Sequence, residues 1–300
     1  IIELETMADL DREVFGPVLH VIRYRRRDLD RLIEAINATG YGLTFGLHTR
    51  LDGTIAHVTQ RIQAGNVYVN RNVIGAVVGV QPFGGRGLSG TGPKAGGLLY
   101  LGRLVARAPA MQHDAAANPT LADYIAWLDA NALATEANIA RDLGRRSALG
   151  FATELKGPVG ERNLYALHPR GRLLLTPRSA AGLYHQLGAM LATGNTAVIA
   201  DARDLEPLLR SLPAHIATRI AWRTDWESDG PFAGALIEGD AERVADINAR
   251  IARLRGPLVP VQAASSQDLA AGPDAYCLDR LMEEVSTSIN TTAAGGNASL

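Results

Sequence analysis

The chain has 300 residues, 30 basic and 31 acidic side chains, a net charge of −1 and 47% apolar residues. That length allows one large domain or two ordinary ones, and the even charge gives no field to draw nucleic acid or an anionic membrane. A single cysteine, Cys277, excludes an intramolecular disulfide framework and suits a reducing, cytoplasmic setting. No apolar run approaches the roughly 20 residues that span a bilayer, and the seven histidines, His48, His57 and His185 among them, show no metal-ligand spacing. The only lysines are Lys94 and Lys156, which reads as a GC-rich coding bias. The sequence opens Ile-Ile-Glu-Leu-Glu, without methionine and inside an apparent strand, so a fragment of a longer protein is expected.

Residues 18–24 suit a buried strand, after which Asp28 can cap a helix carrying Leu29, Leu32, Ile33 and Ile36 at helical spacing. Gly40-Tyr41-Gly42 breaks it, and residues 43–49 read as the next strand. Asp52 or Thr54 starts a second helix with Ile55, Val58 and Ile62 on one face, Gly65-Asn66 ends it, and residues 67–70 form a short strand. This alternation predicts an α/β domain with a mostly parallel sheet. After a glycine-rich loop, residues 98–105 close the first unit as a helix. Residues 108–119, small, polar and ending in proline, are the expected linker between a domain at 1–107 and another at 120–300. Thr120 is expected to cap a helix with Leu121, Tyr124, Ile125 and Leu128, followed by a helix over 137–149. A second α/β pattern follows: strands at 163–167, 172–175, 196–200, 216–222, 235–238 and 258–261, helices at 179–192, 205–209 and 241–254.

Three stretches carry the chemistry. Glu13-Val14-Phe15-Gly16-Pro17 places a carboxylate, an acceptor able to take both hydroxyls of a diol, just before a turn. Residues 73–97 run from an apolar segment into a loop crowded with glycine, interrupted by Pro82 and Pro93. Such a loop is functional or disordered, and its periodic flanks favour order. Successive backbone N–H groups at Gly75 and Ala76 can make a concave anion site without a charged side chain. Gly85-x-Gly87-x-x-Gly90 spells a dinucleotide fingerprint, but it follows Pro82-Phe83 and runs into Thr91-Gly92-Pro93. It lacks the strand-to-helix context that fingerprint needs and is rejected. Cys277, between Asp274 and Asp279 and beside apolar residues, reads as a buried structural thiol, not a nucleophile.

Together these stretches resemble the aldehyde dehydrogenase superfamily, and within it the Δ1-pyrroline-5-carboxylate (glutamate semialdehyde) dehydrogenases. The resemblance implies that Glu13 accepts hydrogen bonds from the nicotinamide ribose of NAD and that Phe15 packs beside the nicotinamide. It implies further that the Gly75 and Ala76 N–H groups hold the α-carboxylate of glutamate semialdehyde and that Phe83 lines the aliphatic stem. Relatives often carry serine where this chain has Ala76. The family's cysteine nucleophile and general-base glutamate precede the Glu-x-Phe-Gly-Pro element, so no catalytic residue is expected in this chain. Residues 187–199 resemble the family's cofactor-domain passage from helix to strand. Ala200-Asp201 stands where the family has a lysine–proline pair, which implies a degenerate second copy that has lost cofactor binding.

The tail at 286–300, small and polar, would alone read as flexible. It resembles the ending of the long bifunctional proline utilization A proteins, which carry a non-catalytic aldehyde-dehydrogenase-like domain after the dehydrogenase. The expected fold is therefore α/β: the end of a catalytic aldehyde dehydrogenase domain, then a degenerate Rossmann-type domain acting as lid and tunnel wall. That resemblance also implies an upstream proline dehydrogenase domain with FAD and a homo-oligomer, and leaves any peripheral membrane contact to the upstream part. A non-catalytic structural or oligomerisation module, or an aldehyde dehydrogenase of other specificity, are the alternatives.

Overall fold

The computed structural model describes residues 1–10, 12–105 and 118–292. In chain order the elements are β1 (Ile2–Leu4), β2 (His20–Ile22), α1 (Leu29–Ala38), β3 (Tyr41–Gly42), β4 (Thr44–Leu47), α2 (Asp52–Thr59), β5 (Asn66–Val69), β6 (Arg86–Gly87) and α3 (Leu98–Gly102). There follow α4 (Pro119–Ala130), α5 (Ala134–Arg146), β7 (Ala152–Leu155), β8 (Glu161–Pro169), β9 (Arg172–Thr176), α6 (Ala180–Ala192) and β10 (Thr196–Ala200). The last are α7 (Ala214–Ala217), β11 (Ile220–Arg223), β12 (Gly234–Glu238), α8 (Ala241–Ile251), β13 (Val261–Ala264), α9 (Ser266–Ala271) and β14 (Met282–Asn290).

The C-terminal unit is built on a parallel sheet of order β11-β10-β9-β12-β13. Strands covered on both faces read as continuous apolar runs, and Leu173-Leu174-Leu175 is one. Their alternation sorts them: Leu173, Leu175, Ile199 and Leu236 join the cluster under α4, α5 and α6, while Leu174, Val198 and Ile237 join Trp226, Phe232, Ile247 and Ile251 on the other side. Helix α6 is buried on every side from Gly182 to Ala192, and its sequence there is apolar or small apart from His185 and Gln186. Ser179 caps it by accepting from the Gly182 N–H.

The second sheet, β4-β5-β14-β8-β7, draws strands from both sides of the expected 108–119 division, most of which lies outside the described residues. Strand β14 pairs parallel with β5 (Ser286 beside Asn66) and antiparallel with β8. Helices α1 and α2 and the segment just after α2 cover one face through Ile33, Val58 and Ile62 against Val67 and Val69. Ser286–Asn290, which by composition alone would read as flexible, is part of β14. Ser286 and Ser288 are buried because their hydroxyls bond Pro82 O (2.9 Å) and Asn163 Oδ1 (2.7 Å), which removes the cost of burying them.

Other departures have local causes. The strand expected at 258–261 begins only at Val261, because Pro257 and Pro260 cannot donate to a ladder. The 205–209 helix is a 3-10 turn, Arg203–Leu209, with Pro207 inside it. Asn118, not Thr120, caps α4, and Pro119 supplies the pre-set first helical φ. Strand β2 is shorter than expected and exposed or half-exposed, since it pairs with β1 alone. Cys277 is exposed, against the expectation of burial: its N–H and C=O bond the Gln262 amide (2.8 and 3.1 Å), and the side chain is left outside.

Candidate functional site

The glycine-rich loop after β5 has only the short β6 pairing with β3 and a Phe83–Ala95 bridge as its own ladder, so many of its carbonyls and N–H groups need other partners. Asn66, at the start of β5 and fully buried, supplies several. Its Nδ2 donates to Pro82 O (2.9 Å), and its Oδ1 accepts from the Gly84 N–H (3.1 Å) and from Lys94 Nζ (2.9 Å). Lys94 Nζ also donates to Gly84 O. Gly65 is required here, because a Cβ would run into Gly84 O and the Lys94 ammonium. Burial pulls Lys94 down to about 8, against the raising pull of Glu284 and Glu283.

Those two glutamates come from β14. Glu284 accepts the Lys94 backbone N–H (2.5 Å) on one oxygen and the Tyr165 hydroxyl (2.6 Å) on the other. Glu283 pairs with Arg86 at 2.6 Å, yet burial still pushes it up to about 7. Burial and the neighbouring Glu284 raise the Tyr165 phenol. Within the loop, Phe83 and Ala95 exchange both backbone hydrogen bonds (3.0 and 2.8 Å). Further up, Arg71 lies over the Tyr68 ring (5.1 Å) and pairs with Glu161 (2.8 Å), and Gln81 bonds Val77 N (2.9 Å), Glu161 (3.1 Å) and Asn163 (3.0 Å).

Against this frame the predicted residues fall into two groups. Gly75, Ala76 and Phe83 lie on the framed loop: Gly75 is exposed, Ala76 and Phe83 half-buried. Gly75 does not have a positive φ, and nothing lies within 4 Å of where its Cβ would be. The backbone freedom expected of that glycine is therefore not used, and what remains is open approach. Glu13 and Phe15 lie on the connection between β1 and β2, with Phe15 93% exposed. No hydrogen bond, ion pair or ring contact among the described residues links them to the loop. Gly85, Gly87 and Gly90 turn around β6, which pairs with β3, and the next helix begins only at Leu98. The rejected fingerprint opens no helix. Sequence reading missed Asn66, Arg71, Gln81, Glu161, Asn163 and Glu284. Lys94 gave one signal, as one of two lysines in an arginine-rich chain.

In the C-terminal unit the strand order reverses between β9 and β12, where this topology places a phosphate at a helix N-terminus. Here Glu238 fills it, accepting from the N–H groups of Arg178 (2.6 Å) and Ser179 (3.0 Å) and from the Ser179 hydroxyl (2.7 Å). Asp201, after β10, accepts from Trp226 Nε1 and Arg250 at 3.2 Å each. A cleft of about 1110 Å³ opens elsewhere, lined by Arg86, Arg170, Arg172, Arg250, Arg253 and Arg255 among others. None of the predicted site residues lines it. Among the described residues no cluster of metal-ligating side chains occurs, and no helix is long and apolar enough to cross a membrane.

Residues 4–103 match the model of the aldehyde dehydrogenase family. The whole chain is 66% identical over 302 residues to the bifunctional protein PutA of Rhizobium meliloti and 44% identical over 320 residues to that of Escherichia coli K12. It covers 25% and 24% of those proteins, so it spans about a quarter of the length of the curated relatives it matches. The 1-pyrroline-5-carboxylate dehydrogenase of Bacillus subtilis is 45% identical over 92 residues, 31% of this chain and 18% of that protein. Among solved structures, proline utilization A from Corynebacterium freiburgense superposes on 93% of the chain and 26% of its own, with TM-score 0.62 and 23% identity. That likeness supports the fold.

Proposed function

We propose that the chain is part of a longer bifunctional enzyme of proline catabolism that oxidises L-glutamate γ-semialdehyde to glutamate with NAD. A proline dehydrogenase domain of the same polypeptide, carrying FAD, would supply the semialdehyde in its cyclic form. The observation that carries this reading is the 66% identity, across the whole chain, to a protein named bifunctional PutA. In it, residues 1–107 end the dehydrogenase domain, 108–119 link, and 120–300 form a non-catalytic lid and tunnel wall in a cytoplasmic homo-oligomer.

The roles follow from what each residue offers. The Glu13 carboxylate is exposed and has no partner among the described residues, so both its oxygens are free to accept from a ribose diol. Phe15 offers an open ring face beside it. The Gly75 and Ala76 N–H groups hold the substrate α-carboxylate, which the open space beside Gly75 admits, and Phe83 lines the stem. When bound, NAD supplies the hydride acceptor. The nucleophilic cysteine and general base are provided from outside residues 1–300. The C-terminal unit takes no nucleotide, because Glu238 occupies the phosphate position and Asp201 would repel a phosphate.

The test is the complete protein assayed for NADH formation with the semialdehyde. Expected is semialdehyde-dependent NADH; none would sink the reading. The expected lack of a nucleophilic cysteine within residues 1–300 favours a second reading of these residues taken alone, as a structural module. In that case the isolated chain forms no NADH, and activity surviving Cys277→Ser would exclude it.

A further inference from the structure

Glu161 belongs to β8, outside the residues that match the aldehyde dehydrogenase family, yet it touches both ends of the anchor loop. Its Oε1 accepts from Arg71 at 2.8 Å where the loop leaves β5, and its Oε2 accepts from Gln81 Nε2 at 3.1 Å where the loop returns. Asn163, on the same strand, takes a second hydrogen bond from Gln81 Nε2 (3.0 Å) and one from the Ser288 hydroxyl (2.7 Å). The stems are buried: Arg71 is 8% exposed, Gln81 4% and Asn163 2%. Gln81 then uses its own carbonyl oxygen to accept the Val77 N–H (2.9 Å), so the grip extends into the loop itself.

Little else restrains the segment between the stems. Val73, Ile74, Val77 and Val78 are exposed, Ile74 and Val78 almost completely, so apolar burial does not fix it. Its internal hydrogen bonds, Val80 N and Gln81 N to Val77 O, shape the last turn but do not tie it to the body of the protein. The returning stem is also held by Asn163 at Gln81 and by Asn66 and Ser286 at Pro82 O, but the carboxylate of Glu161 is what joins it to the departing stem at Arg71.

We propose that Glu161 is a positioning residue that clamps both stems of the 72–80 loop, so that the C-terminal unit sets the geometry in which Gly75 and Ala76 meet the substrate carboxylate. This rests on the anchor role given to Gly75 and Ala76. Loosening the clamp raises KM for the carboxylate-bearing aldehyde and leaves the chemical step alone, because Glu161 touches no reacting atom. A plain aldehyde such as propanal, with no carboxylate to hold, is indifferent to it.

The experiment uses the complete protein and two readouts. In Gln81→Glu, the acceptor for Val77 survives but two carboxylates face each other, and in Glu161→Ala the clamp is gone. Both should raise KM for glutamate semialdehyde at least about tenfold, the scale of one lost buried hydrogen bond, with kcat and the KM for propanal within about twofold. The exchanged pair Gln81→Glu with Glu161→Gln restores a donor facing an acceptor between these two positions but not at Asn163, and should recover part of the loss. Amide hydrogen exchange without substrate should quicken over residues 73–80 in the single variants while β8 and β14 stay protected, which also reports that they fold. Unchanged exchange in Glu161→Ala overturns the clamp. Faster exchange with unchanged KM overturns its effect on substrate. Inactivity of the unsubstituted protein toward the semialdehyde overturns the functional reading and the substrate half of the proposal with it, while the exchange result still decides the clamp.

Discussion

Glu284→Ala tests the polar frame under the glycine loop. The carboxylate is 7% exposed and its two oxygens hold a backbone N–H of Lys94 and the hydroxyl of Tyr165, itself wholly buried. Truncation removes two charge-assisted bonds and leaves both donors without an acceptor in a dry site, beside a Lys94 ammonium that loses a countercharge. Breaking a buried, paired charge in this way costs about 3–5 kcal/mol. At about 2–4 °C per kcal/mol for a chain of this size class, Tm should fall by roughly 6–20 °C. Glu284→Gln keeps one acceptor and should lose less than half as much. Urea unfolding of the 300-residue chain, followed by far-UV circular dichroism and tryptophan fluorescence, measures the effect. All three tryptophans lie after residue 120, yet both signals should shift together, because β14 joins the two sides of the sheet. A Glu284→Ala midpoint equivalent to less than about 0.5 kcal/mol of destabilisation, the level of an ordinary surface change, would refute the argument.

Two buried groups give opposite pH dependences. Glu283, raised by burial to about 7 among Arg86, Arg170 and Lys94, contributes stability that is present below its unfolded value near 4.5 and lost as pH rises through 7. Glu283→Gln should therefore gain on the parent chain between pH 4.5 and 7.5 in urea midpoints, and a constant difference would contradict it. His185, lowered by burial to about 4, contributes stability present above 6.5 and lost as pH falls through 4. His185→Gln should flatten that acid limb, and an unchanged limb would count against the assignment. In the complete enzyme, Glu13→Ala should weaken nicotinamide placement by about 1–3 kcal/mol, read in kcat and KM for NAD; unchanged values would remove the motif from the site. Gly75→Val meets no neighbour within 4 Å, so Tm should hold while KM for the semialdehyde rises at least about tenfold; equal losses for propanal would discard the anchor.

What the sequence disclosed, and what it hid, divides along one physical line. Periodicity found α6, and the apolar runs of β9, β10 and β12, because burial on both faces leaves a pattern any reading can see. Strand β13 was displaced by three residues since the proline effect at Pro260 was not weighed. The glycine loop was legible as a loop, but its supports were not: Asn66, Gln81, Asn163 and Glu284 are isolated polar residues whose meaning lies in partners far along the chain. Ser286 and Ser288 are opaque by composition for the same reason, since small polar residues look like tail until their acceptors are known.

The parallel pairing of β14 with β5 sets the order in which this protein can be made. Ser286 meets Pro82 across 204 residues of chain. At about 5–20 residues per second, the ribosome needs roughly 10–40 s to deliver that strand after the loop has emerged. Until then β5 presents an open edge of Val67, Tyr68 and Val69, the kind of template that recruits foreign strands. Translation past residue 290 is thus the event that closes the first half of the molecule. Premature termination before it should yield a product that depends on chaperones and aggregates, even though every residue of the glycine loop has been made.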